Sequence, residues 1–161
     1  MKKLFVIASA ILFAACPVKA QEVFKQMMTN AQLVLQTPDA DYFNTNVAQF
    51  KYTALQYLCN TAIRQHGGVE ADVLDRQAYA LNHFIMAYFS ELAKTQNNSE
   101  QAQKDIVKKY WKACAENPMF ENQDPETTEA FINDPGCITP FSINTDWIKA
   151  DAVISKKKGK K

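Results

Sequence analysis

The chain has 161 residues, 47% of them hydrophobic and 22% charged, so it can bury the core of one domain and is neither disordered nor collagen-like. Its four glycines assemble no phosphate-binding loop and no dinucleotide-binding fingerprint. The formal net charge is +1, but the body of the chain, residues 21–155, holds 10 basic and 17 acidic residues, a net charge of −7. An acidic body argues against a nucleic-acid-binding domain, which normally presents a basic face.

The first 20 residues are typical of a secretory signal peptide. Two lysines precede an apolar run over residues 4–15, and small residues lie before a cleavage point after Ala20. Such a run is too short to span a bilayer, which takes about 20 apolar residues. We expect a periplasmic or secreted protein of bacterial type and not a transmembrane protein. Acylation of Cys16, which would make a lipoprotein, is the alternative.

Apolar residues then recur at helical spacing and predict four long helices. In the third they form one stripe of residues spaced by four and three: Leu74, Ala78, Leu81, Ile85, Tyr88 and Leu92. The helices are expected over residues 22–36, 38–65, 70–95 and 99–116. Thr37 is expected to cap the second helix, with Pro38 as its first residue, and Gly67 with Gly68 to follow its end. Since the turns are short, sequential helices should be antiparallel neighbours. The sequence therefore predicts an all-α protein with a four-helix antiparallel bundle-like core.

The character of the sequence changes after Pro118. Four of the six prolines lie between residues 118 and 140. Short helices are expected over residues 124–132 and 146–154, the second capped by Thr145. We expect one helical domain over residues 21–155, in which residues 118–155 form a Pro-rich extension that covers the core of residues 21–117. The basic tail, residues 156–161, is expected to be disordered and solvated.

The mature chain would keep three cysteines: Cys59, Cys114 and Cys137. An oxidising compartment favours a disulfide. We expect the bond to join Cys114 and Cys137, because it would pin the extension to the end of the core. A pairing that involves Cys59, or no disulfide at all, remains open.

No motif indicates catalysis, a metal or a cofactor. The sequence has no C-x-x-C, no haem-attachment motif and no H-E-x-x-H. Its acidic stretch does not follow the spacing of a calcium-binding loop. We therefore predict no cofactor, no metal site and no catalytic residue, and an enzyme is the less favoured class.

The segment of residues 134–147 combines prolines, a cysteine and two aromatic residues. The favoured interpretation is a structural cover of the bundle end, which would bury both rings. The functional alternative makes Phe141 and Trp147 a candidate interaction surface, because aromatic side chains often anchor protein interfaces. We predict a non-catalytic binding or interaction protein of the cell envelope, whose partner is an unknown protein or envelope component. The alternatives are a carrier of a small apolar ligand between the helices, and an unrecognised enzyme with a Cys or carboxylate in a cleft beside His66 or His83.

Overall fold

In the computed structural model of the chain, the described residues are 22–66, 71–95, 100–114 and 141–156, and they are all-helical. These ranges contain five helices and no strand: α1 (Glu22–Gln36), α2 (Tyr42–His66), α3 (Ala71–Lys94), α4 (Glu100–Cys114) and α5 (Trp147–Lys156). The all-α prediction is confirmed. The expected signal peptide, the expected short helix over residues 124–132, Cys137 and residues 157–161 lie outside the described residues.

The second helix begins later than the sequence predicts. Asp41 caps α2, since the backbone N–H of Asn44 donates to its Oδ1 over 2.9 Å. Hydrogen bonds from Asn44 also lower the pKa of the Asp41 carboxyl. Thr37 belongs instead to the end of α1, where its hydroxyl donates to the carbonyl of Leu33 over 2.8 Å. The predicted start at Pro38 is wrong because Pro38 lies in the turn between the two helices.

Helix α3 is the central helix of the described structure. Both α1 and α2 pack on α3 and on each other, and α4 and α5 do the same. The predicted apolar stripe of α3 is buried at five positions: Leu74, Ala78, Leu81, Ile85 and Tyr88. A helix with neighbours on several sides must be apolar around much of its circumference, which explains why α3 also buries Phe84.

An aromatic cluster forms the core where the C-terminal segment meets α3. The ring of Phe84 lies 5.1 Å from Tyr110, 5.2 Å from Phe141 and 5.7 Å from Trp147, measured between centroids. All three pairs have the edge-to-face geometry that aromatic rings prefer. The segment that contains Phe141 and Trp147 is thus part of the core.

Helix α5 is docked by a side chain of α3. The side-chain oxygen of Gln77 accepts the backbone N–H of Trp147 over 2.9 Å, and its amide donates to Asp146 Oδ1 over 3.0 Å. Asp146 caps α5 through the N–H of Lys149. The predicted cap, Thr145, is wrong, because its hydroxyl donates to the carbonyl of Ser142 in the preceding turn. None of the described helices has the combined length and apolarity of a membrane span.

Candidate functional site

A groove between α1, α2 and α3 is the candidate functional site. Its volume is about 440 Å³, which is within the usual range for small-molecule sites. Helix α1 lines the groove at intervals of three and four residues: Val23, Gln26, Met27, Asn30, Ala31 and Val34. Helix α2 does so at Asn44, Val47, Ala48 and Lys51, and α3 adds Tyr79 and Asn82. This spacing places each set on one helix face.

The groove exists because its deepest positions hold small side chains. Ala31 on α1 and Ala48 on α2 are each 5% exposed and form the floor. Half-buried Met27, Val34 and Val47 form apolar walls beside them. Larger residues at the two alanine positions would fill the space between the helices.

The upper part of the groove is polar and carries one positive charge. Four carboxamide side chains line it: Gln26, Asn30, Asn44 and Asn82. The half-buried Lys51 is the sole charged residue among the described residues that line the groove, and its Nζ donates to Asn82 Oδ1 over 2.9 Å. No carboxylate of the described residues forms an ion pair with Lys51. Burial therefore lowers the pKa of the Lys51 ammonium.

An acid–base pair lies beside the groove. His83 Nδ1 on α3 is 2.6 Å from Asp151 Oδ1 on α5, so the carboxylate fixes the orientation of the imidazole. The ring of Tyr79, at the rim of the groove, is parallel to the imidazole with centroids 6.4 Å apart. His83 itself does not line the groove. The pair links α5 to α3 and places a polar surface next to the rim.

The structure contradicts the predicted Cys114–Cys137 disulfide. Cys114 has a free thiol and is 3% exposed. Burial raises its pKa to about 12, despite a hydrogen bond with Thr145. The thiol lies where α4 meets the segment before α5, inside the core rather than at its edge. Such a thiol is a poor nucleophile, because the thiolate is the reactive form.

Cys59 differs from Cys114, since it is disulfide-bonded. No disulfide joins two described residues, because Cys114, the other described cysteine, is free. Of the pairings that the sequence left open, the structure thus favours one that involves Cys59. Cys16 and Cys137 lie outside the described residues.

The predicted interaction surface at Phe141 and Trp147 is also wrong. Phe141 is 5% exposed and Trp147 is fully buried, so neither side chain is available to a partner. Both rings pack on Phe84 and on Phe50. Burial of these two large aromatic side chains stabilises the chain's own core, so they are not exposed to anchor a partner.

No motif in the sequence marks the groove residues, although one signal is present. Lys51 is the only charged residue between Tyr42 and Ile63 in a helix that is otherwise apolar or neutral. A single positive charge in such a helix indicates that the surroundings of this side chain differ from those of its apolar and neutral neighbours. In the described part of the chain, no three His, Cys, Asp or Glu side chains are grouped so that they could hold a metal ion.

Comparison with known proteins finds no relative of this chain. No protein-family model matches it, and no curated protein and no solved structure is found to be similar to it.

Proposed function

We propose that this chain is a non-catalytic binding protein of the bacterial cell envelope, and that it binds its ligand or partner in the groove between α1, α2 and α3. The observation that carries the proposal is the groove itself: an open cavity of about 440 Å³ with an apolar floor and a polar rim. A few polar groups above an apolar surface are the usual composition of a small-molecule site.

The proposal includes the export of the chain and the architecture that presents the groove. The first 20 residues would direct the chain to the periplasm or the cell exterior and then be removed. The four long helices would form an antiparallel bundle-like core, and the Pro-rich segment would cover that core. The burial of Phe141 supports the cover, since its ring packs on Phe84 of α3.

Ligand retention tests the binding role. The protein would be isolated from its native envelope without denaturation, and its intact mass measured by native mass spectrometry. We expect loss of residues 1–20 and a bound small molecule that the double variant Asn30→Ala/Asn44→Ala does not retain. Both asparagines are exposed at the rim, so their replacement should leave the fold intact. The matched control is Gln101→Ala, an exposed carboxamide on α4.

A second measurement covers ligands that dissociate during purification. Small molecules extracted from the envelope would be added to the isotope-labelled protein, and backbone amide shifts recorded. Shifts at Met27, Val47 and Asn82 are expected. A protein that retains nothing in the first experiment and shows no shift around the groove in the second is not a binding protein of this kind.

A carrier of a small apolar ligand is the second candidate. The apolar floor and walls support it: Met27, Ala31, Val34, Val47 and Ala48. Nile red, a neutral apolar dye, distinguishes the two functions. A carrier should bind it in the groove and release it when Ala48→Leu fills the floor, whereas a site for a polar ligand should not bind it.

A further inference from the structure

Among the described residues, the ammonium group of Lys51 has no counter-charge of the kind that half-buried cations usually have. Its described hydrogen bond, to Asn82 Oδ1, is to a neutral acceptor, so two of its three protons have no partner among the described residues. None of the described residues that line the groove is acidic. The groove is thus a positively charged site in a body that is otherwise acidic.

A second donor lies next to the ammonium. Because Asn82 Oδ1 accepts from Lys51, the Nδ2 of the same carboxamide is directed away from that bond and keeps both of its protons. An ammonium and an adjacent amide together present donors to two oxygen atoms of one ligand group. A carboxylate has two such oxygens in one plane.

The charge of the groove favours a monoanion. Phosphate groups carry more charge and are normally held by several cations or by a row of backbone N–H groups. The described lining of the groove has one cation, and at its one approach to the start of α2 the backbone N–H of Asn44 already donates to Asp41 Oδ1. The apolar walls of Met27, Val34 and Val47 then suit an uncharged body behind the carboxylate.

We propose that the groove binds a small monocarboxylate, with its carboxylate on Lys51 Nζ and Asn82 Nδ2 and its apolar body on the floor of Ala31 and Ala48. This inference rests on the proposed binding function and names the ligand class of that site. The carboxylate supplies the counter-charge that the described protein groups do not.

The test compares three probes: 4-phenylbutyrate, its neutral analogue 4-phenylbutyramide, and inorganic phosphate. Affinities would be measured by calorimetry, and the site located from backbone amide shifts. We expect 4-phenylbutyrate to shift resonances around Lys51 and to bind about 10- to 100-fold more tightly than the amide, the usual effect of a charge-assisted hydrogen bond. Phosphate should not compete.

Three variants assign the effect to the groove. Lys51→Met removes the cation and should weaken 4-phenylbutyrate binding about 10- to 100-fold while the amide is unaffected. Asn82→Asp is nearly isosteric, supplies Lys51 with a carboxylate and should abolish binding of the acid by repulsion. Lys112→Met, an exposed lysine on α4, is the control and should bind like the wild type. Circular dichroism would establish that each variant is folded.

The failure of this inference differs from the failure of the proposed function. Equal affinity for the acid and the amide, or an unchanged affinity in Lys51→Met, leaves a binding groove but refutes recognition of the carboxylate. Tighter binding of phosphate, or no shift around the groove with 4-phenylbutyrate, refutes the monocarboxylate itself. The binding function is decided separately, by the molecule retained from the envelope.

Discussion

Replacement of Gln77 by alanine should detach the start of α5 from α3. The side chain makes two hydrogen bonds there, one from the N–H of Trp147 over 2.9 Å and one to Asp146 over 3.0 Å. A hydrogen bond contributes about 0.5–1.5 kcal/mol net, so the pair is worth about 1–3 kcal/mol. The upper part of this range is not expected, because Asp146 is 43% exposed and water can replace part of the interaction.

Urea unfolding monitored by circular dichroism and tryptophan fluorescence measures this loss. Gln77→Ala should lower the free energy of unfolding by about 1–2 kcal/mol. The matched control is Gln101→Ala, whose amide bonds Asp105 one turn along the same exposed helix face; it should change stability by less than about 0.5 kcal/mol. A double-mutant cycle with Asp146→Ala should give a coupling of about 0.5–1 kcal/mol.

Equal stabilities of Gln77→Ala and Gln101→Ala would refute the reasoning, because they would show that packing alone holds α5 on α3. Gln77→Glu provides a second criterion. A glutamate can still accept the N–H of Trp147, but it places a second carboxylate beside Asp146. It should therefore be less stable than the wild type at pH 7.

Three further outcomes are expected. Burial raises the pKa of the Cys114 thiol from 9.0 to about 12 in the folded protein, so the stability that it contributes is complete below pH 9 and is lost as the pH rises from 9 to 12. Between pH 8 and 10, the free energy of unfolding of the wild type in urea should fall by about 1.4 kcal/mol relative to that of Cys114→Ala. Parallel pH profiles of the two proteins would contradict the buried thiol. Phe141→Ala should lower the free energy of unfolding by about 3–5 kcal/mol. The control Ile148→Ala, at a 38% exposed position on the same segment, should lower it by less than about 1.5 kcal/mol. Similar losses of stability in the two variants would place Phe141 outside the core. Lys51→Met should leave the melting temperature unchanged or raise it, since it removes a half-buried charge, and a marked decrease would mean that Lys51 serves stability rather than binding.

The bounds of most helices could be predicted from the sequence, because helical periodicity is a local property. Helix α1 occupies the predicted residues 22–36, and α3 differs from its prediction by one residue at each end. The start of α2 was missed, because Thr37 and Asp41 are both good capping residues and local sequence does not say which one the turn will use.

The candidate site could not be predicted from the sequence in the same way. Its residues come from three helices and are separated by up to about half of the described chain, so no local pattern joins Asn30, Lys51 and Asn82. The lone lysine of α2 was visible, but the absence of a carboxylate around it depends on which faces of α1 and α3 meet it. The cysteine prediction failed for a similar reason: the position of Cys114 near a helix end suggested a bond to the extension, but which cysteines pair depends on contacts between distant segments.

By itself, the sequence determined that the described chain is helical and which stripe of α3 is buried, because both follow from the 3.6-residue period of apolar side chains. Only the tertiary structure decided that Phe141 and Trp147 are core residues, that the thiol of Cys114 is free and that Lys51 lies in a groove whose described lining has no acid. Each of these depends on which helix faces pack together. That choice is made by the burial of surface from distant parts of the chain, which no local stretch of sequence specifies.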